Sequence, residues 1–262
     1  MSEPSSNAPD PAAAPGPDRA SRPWALVPVK SPRDAKSRLA AVLGPAERAA
    51  LVEHMLRDVL AALRSCTRLA GIALITPDSE VAALAEREGA HPLEEDPREE
   101  RPGPNAAIRQ ARHLLAQRGA TAMLVVPGDV PLLTGAAVAR LLDALPATGG
   151  VVIAPDAARV GTNALLCAPP GLIDPAFGPG SFVEHQARAR RAGVEPIVLA
   201  LPELALDLDE PADLRRLLQA RASAGAPCRT IRYLDDAGLA QRIAPPEGQV
   251  EGALPAPGPP DP

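Results

Sequence analysis

Lys30 and Lys36 are the only lysines in the 262 residues, and both fall in the segment Val27-Pro-Val-Lys-Ser-Pro-Arg-Asp-Ala-Lys-Ser-Arg-Leu39. Everywhere else the chain draws its side-chain positive charge from arginine. An ammonium is a compact charge on a flexible stem, suited to phosphate oxygens crowded beside a metal, where a planar guanidinium does less well. The segment is a Pro- and Ser-punctuated loop between an apolar run and a helix, a setting in which backbone N–H groups also meet phosphate. Lys30, Lys36 and the amides of residues 31–37 therefore read as one anion site, with Arg38 as a further cation. The alternative is two surface lysines left over in an arginine-rich chain.

Asp207 and Asp209 alternate in Leu206-Asp-Leu-Asp-Glu-Pro-Ala-Asp-Leu214, so on an extended segment both carboxylates point to one side. Asp129, in Pro127-Gly-Asp-Val-Pro131, follows an apolar run and belongs at the carboxyl end of a strand, the edge at which open α/β sheets bind ligands. Hard Mg²⁺ takes oxygen ligands, few of them from protein and the rest from water and substrate phosphate, so Asp129, Asp207 and Asp209 form a metal-phosphate constellation with the lysines. Each carboxylate also has a structural reading: Asp209 as a helix cap before Pro211, Asp129 as a turn residue between Gly and Pro.

The elements that must position these groups alternate between apolar runs and helix-period segments, the pattern of a doubly wound parallel α/β sheet. Strands are expected at 24–29, 71–76, 90–93, 121–126, 151–154, 163–167 and 195–200. Pro45 opens a helix in which Leu51, Met55, Val59 and Leu63 share a face. Asp78, Asn105 and Thr134 are placed to cap further helices, and Ser181 with Glu184 reads as a capping box. A closing helix follows the 206–214 segment.

Composition bounds the function. With 46% hydrophobic residues, the chain can bury one core of about 200 residues, expected at 23–221. Residues 1–22 and 245–262, rich in Pro and Ala, read as disordered tails and not as a signal peptide or a spanning helix. Residues 222–244 form an extension in which Ile231, Leu234 and Leu239 suggest a strand and a helix packed on the core or on a partner chain, which leaves a homodimer open. Three cysteines without C-x-x-C spacing argue against a disulfide framework or a thiolate zinc site and fit a reducing cytoplasm. A net charge of −5 with one Trp, one Tyr and two Phe argues against nucleic-acid binding, and no apolar run is long enough to span a membrane.

The ordered set Val27-Pro-Val-Lys30, Lys36-Ser-Arg-Leu39, Asn105-Ala-Ala-Ile108, Gly128-Asp-Val-Pro131, Gly161-Thr-Asn-Ala-Leu165, Phe177-Gly-Pro-Gly-Ser-Phe182 with His185, and 207–214 resembles the guanylyltransferases of coenzyme F420 biosynthesis from about residue 24 to residue 220. The resemblance implies a single-domain α/β fold of the nucleotide-diphospho-sugar transferase type, a mixed, mostly parallel sheet with helices on both faces. It also implies transfer of GMP from GTP to the phosphate of phosphoenolpyruvate, 2-phospholactate or 3-phosphoglycerate. It places metal-binding carboxylates at Asp129, Asp207 and Asp209 and acceptor contacts at Thr162, Gly178 and Ser181. Asn105 either reads guanine or caps its helix, Ser181 either binds the acid or caps, and His185 is either a ligand contact or a surface residue. A nucleotidyltransferase of the molybdenum-cofactor or sugar-nucleotide type would share Asp129 but carry a glycine-rich loop where this chain has Val-Pro-Val-Lys. A non-catalytic nucleotide-binding subunit would be expected to lose carboxylates.

Overall fold

The computed structural model describes residues 23–31, 36–95, 103–220 and 228–243. The expected tails 1–22 and 245–262, the middle of the 31–37 loop and most of the charged loop after residue 94 lie outside the described residues.

Strands β1 (Trp24–Pro28), β2 (Gly71–Thr76), β3 (His91–Glu94), β4 (Met123–Val125), β5 (Gly150–Pro155), β6 (Thr162–Ala168) and β7 (Ile197–Val198) form one sheet in the order β3-β2-β1-β4-β6-β5-β7. Alternate residues of each strand serve opposite layers. Ala25, Val27, Ile72, Leu74, Leu124 and Leu166 meet helices α1 (Pro45–Ser65), α2 (Ser79–Arg87) and α4 (Gly135–Ala144). Leu26, Ala73, Ile75, Val125 and Leu165 meet α3 (Pro104–Gln117) and α5 (Ser181–Arg191). Burial on both faces is why these strands read as unbroken apolar runs and not as alternating ones. β7 is shorter than expected because it is an edge strand paired, among the described residues, only with β5, through Val152 and Ile153.

β6 alone runs against the others, pairing antiparallel with both β4 and β5. Its first residues, Thr162 and Asn163, are thereby delivered to the edge where β1 and β4 end. A strand that ran parallel would present Cys167 and Ala168 there instead.

A third cluster lies outside the sheet layers. Leu51, Val52 and Met55 on the outer face of α1 meet Leu39, Leu43, Leu208, α6 (Pro211–Ala220), α7 (Arg229–Asp236) and α8 (Leu239–Ile243). The segment 228–243 is thus two helices packed on the core, where a strand and a helix were expected. Its start is held from a distance: the Asp58 carboxylate, in the middle of α1, accepts from Arg229 N–H (2.9 Å), Thr230 N–H (2.9 Å) and Thr230 Oγ1 (2.7 Å). It satisfies helix N-terminal donors that Cys228, the residue at the cap position, cannot.

Asp78 and Thr134 cap α2 and α4 as their sequences predict. Two other expected caps do not form. Gly103 stands at the cap of α3, with Pro104 as first helical residue, leaving Asn105 inside the helix. Gly180, at φ 72°, is the cap of α5, because the Gly-Pro-Gly turn enters the helix from the left-handed region that Gly tolerates best. Ser181 makes no capping bond, and Glu184 pairs with Arg188 and Arg191 instead of closing a box. Among the described residues no helix is long and apolar enough to cross a membrane.

Candidate active site

The carboxyl ends of β1 and β4 are drawn together at Gly128. A Cβ there would meet Val29 Cγ2 at 3.3 Å and Val27 Cγ1 at 3.7 Å, so the glycine lets the chain turn beside β1 and present Asp129 above the sheet. Leu208 N–H donates to the Asp129 carbonyl at 3.1 Å. Leu208 itself is buried in the third cluster, so the alternation of the segment turns Asp207 and Asp209 the other way. Both line a cleft of about 580 Å³ with Asp129, Lys36 and Arg38.

Lys36 is not the exposed loop lysine that its sequence suggests. Its side chain is only 8% exposed, and Nζ donates to Asp129 Oδ2 at 2.6 Å and Asp209 Oδ1 at 2.8 Å. Burial alone would lower the pKa of this ammonium, but Asp129 and Asp209 outweigh it and hold the pKa raised. The backbone of Lys36 is left-handed, at φ 57°. Asp209 therefore serves this ion pair and not a helix cap; the donors before α6 go to Asp213, which accepts from Asp209 N–H and Glu210 N–H. Lys30 is exposed and lines an adjoining space of about 340 Å³ with Lys36, Met55, Gly128 and Asp129. Arg38 reaches out to Glu210 at 3.1 Å. Residues 32–35, the centre of the expected amide cradle, lie outside the described residues. Ser31 is tied to Asp78 by a 2.7 Å bond.

Asp129 Oδ1 is buried and has no hydrogen-bond partner among the described residues. Burial, and then the nearby charge of Asp129, raise the Asp207 carboxyl above its ordinary range, against a 3.2 Å bond from Asn163 Nδ2. An orphaned carboxylate oxygen beside a second carboxylate strained by desolvation is a setting that a divalent cation relieves. Among the described residues no group of three or more His, Cys, Asp or Glu is arranged to hold a metal by itself. Mg²⁺ bound here would take one or two of these carboxylates and complete its shell with waters and substrate oxygens.

Thr162, Gly178 and Ser181 form part of the wall of the same cleft. All three expected acceptor contacts thus share one cavity with the three aspartates. His185 and Asn105 stand behind that wall. His185 is 0% exposed, which corrects its reading as a surface residue: α5 turns it inward, where Nδ1 lies 2.9 Å from Thr162 Oγ1 and Nε2 accepts from Ala176 N–H at 2.9 Å. Burial, with Arg188 nearby, lowers the pKa of the ring to about 4. Asn105 neither caps nor faces the cleft. Its amide clamps one residue of the loop before α5, donating to Phe177 C=O at 2.9 Å and accepting from Phe177 N–H at 2.7 Å.

Two further residues that shape the site carry no signal of that role in the sequence. Asn163 ties Asp207 to the backbone of Leu204 through one amide. Asp156 accepts from Val160 N–H and Gly161 N–H and shapes the turn before Thr162. Asn163 lies inside the Gly161–Leu165 motif, so its position is visible in the sequence; its partner is not.

A mixed sheet of this order, with a carboxylate-lined cleft at the carboxyl edge of its central strands, defines an α/β nucleotidyltransferase fold. A nucleotidyl transferase from Methanothermobacter superposes with a TM-score of 0.57 at 14% identity, covering 78% of this chain and 99% of that one. A Desulfovibrio desulfuricans protein assigned to the nucleotide-diphospho-sugar transferases gives 0.70 at 18%, covering 85% and 98%. The model of the family described as "Guanylyl transferase CofC like" matches residues 24–240, and the chain belongs to that family. The match takes in α7 and reaches α8, beyond the residue near 220 at which the motif resemblance ended. The phosphoenolpyruvate guanylyltransferases of Rubrobacter xylanophilus and Sphaerobacter thermophilus are 46% and 42% identical to it, over 80% and 74% of this chain and 98% and 91% of theirs. The protein is accordingly a guanylyltransferase.

Proposed function

We propose that this enzyme transfers GMP from GTP to the phosphate of phosphoenolpyruvate in coenzyme F420 biosynthesis, with 2-phospholactate and 3-phosphoglycerate as the competing acceptors. The observation that carries the reading is the shared cleft, lined by Asp129, Asp207, Asp209 and Lys36 together with Thr162, Gly178 and Ser181. The relatives named above supply the choice among three-carbon acids.

An acceptor phosphate oxygen attacks the α-phosphorus of GTP, the bond from that phosphorus to the bridging oxygen of the β-phosphate breaks, and pyrophosphate leaves with the electron pair. The nucleophile is ionised at neutral pH, so no general base is required, in keeping with a cleft whose one nearby imidazole is buried and neutral. Held by Asp129, Asp207 and Asp209, Mg²⁺ would neutralise charge on the transferred and departing phosphates. Lys36 lies between two of these carboxylates, and Lys30 and Arg38 flank it, a set of cations suited to meeting both anions. Thr162 and the backbone from Gly178 to Ser181 hold the acid at the start of α5, where helix N–H groups favour an anion.

Pyrophosphate release is to be measured with GTP, Mg²⁺ and each of the three phospho-acids in turn. Turnover with phosphoenolpyruvate well above the other two is expected. Preference for another acid would reassign the acceptor, and no release with any would remove the reading.

A further inference from the structure

A backbone amide can only donate, so the 2.9 Å bond from Ala176 N–H to His185 Nε2 requires an unprotonated Nε2. A neutral imidazole then carries its single proton on Nδ1. Nδ1 lies 2.9 Å from Thr162 Oγ1, so the ring donates and the threonine oxygen accepts. Both ring nitrogens are now committed, and neither can take the threonine proton. That bond is the one hydrogen bond of the Thr162 side chain among the described residues, and Thr162 lines the cleft beside Ser181.

We propose that His185 is a positioning residue for the acceptor, fixing the Thr162 hydroxyl as a hydrogen-bond donor aimed into the cleft. The opposite tautomer would require the hydroxyl to donate to Nδ1, leaving Thr162 to present only lone pairs to an incoming carboxylate. The Ala176 amide thus sets the polarity of a relay that runs from backbone to ring to hydroxyl to ligand. The ring is held firmly in this orientation. It is 0% exposed, Phe177 meets it edge-on at a centroid distance of 5.0 Å, and Asn105 fixes Phe177 by both backbone groups. Burial keeps the imidazole neutral through the physiological range, so Nε2 stays free to accept from Ala176 and the relay stays closed.

The inference rests on the cleft being the acceptor site, and a double-mutant cycle separates the two. Thr162→Val, His185→Phe and the double variant are to be assayed for the KM of phosphoenolpyruvate and of GTP separately. Each single variant is expected to raise the acceptor KM about tenfold and to leave that for GTP within about twofold, since a donor to one anionic substrate is lost. The double variant should match Thr162→Val alone, because His185 acts through that hydroxyl. His185→Gln, whose amide offers both a donor and an acceptor, should recover part of the loss. Effects that multiply in the double variant, or an unchanged acceptor KM in His185→Phe beside a raised one in Thr162→Val, overturn the positioning role and leave the acceptor site standing. An unchanged acceptor KM in Thr162→Val overturns both. Should His185→Phe fail to fold, the ring ¹⁵N shifts of the wild-type enzyme decide: protonated Nδ1 is expected, and protonated Nε2 overturns the proposal.

Discussion

The two lysines that stand out in the sequence do different work, and the difference is measurable. Lys30 is exposed, so Lys30→Ala should lower turnover while shifting stability by less than about 0.5 kcal/mol. Lys36 is the buried partner of two carboxylates, one of which, Asp129, is only 25% exposed. Lys36→Ala should therefore lower kcat by about 100-fold and also cost about 1–3 kcal/mol, because it leaves charge uncompensated in a partly buried site. Steady-state rates with melting curves check both, and an unchanged melting temperature for Lys36→Ala would count against the ion pair. Among the aspartates, Asp129→Asn should raise the Mg²⁺ concentration needed for half-maximal rate more than Asp207→Asn or Asp209→Asn does, since Asp129 carries the orphaned oxygen and one of the two ion pairs. Titrating Mg²⁺ against rate in the three variants, with folding followed by circular dichroism, is the measurement; equal shifts would deny Asp129 its special place.

At the scale of elements, α7 is the unexpected support of the site. It packs on the outer face of α1, while Val52 and Met55 of α1 line the space beside Lys30. Ile231→Ala should cost about 2–5 kcal/mol, as for any fully buried aliphatic side chain in a core, and Asp58→Ala about 1–2 kcal/mol by removing the remote cap. Denaturant unfolding checks these values, and a cost below about 0.5 kcal/mol for Ile231→Ala would mean that α7 is loosely held. The sequence foretold apolar residues here but not two helices, because eight- and five-residue helices are too short to announce a period. The strands, α1 and the cleft carboxylates were legible, since doubly buried runs and an alternating Asp-x-Asp are local signals. Lys36 bonds to Asp209, 173 positions away, and Asn105 to Phe177, 72 away, and no local pattern announces either pair. The expected caps at Asn105 and Ser181 failed for a related reason: a neighbouring glycine took the cap, and tertiary partners claimed the side chain of Asn105.

For the whole molecule, the buried imidazole makes stability depend on pH with a definite sign. His185 has a folded pKa of about 4, lowered from 6.5 by burial first and by Arg188 second, with Glu184 opposing. Below its unfolded value the unfolded chain binds a proton that the folded chain refuses, so unfolding becomes easier as the pH falls. The stability associated with the neutral ring is complete above the unfolded pKa and is lost progressively as pH falls toward about 4. Between about pH 7.5 and about pH 5 the loss should be about 2 kcal/mol. Other groups titrate in the same window, so the comparison is with His185→Phe, which keeps a ring and has nothing to protonate. Its unfolding free energy should fall less over that interval, by about the same 2 kcal/mol, even if it is the less stable protein at neutral pH. Denaturant unfolding of both proteins at the two pH values gives the difference directly. Parallel pH dependences would mean that His185 takes up a proton in the folded state as readily as in the unfolded chain, and the relay from Ala176 to Thr162 would then open in mild acid before the sheet does.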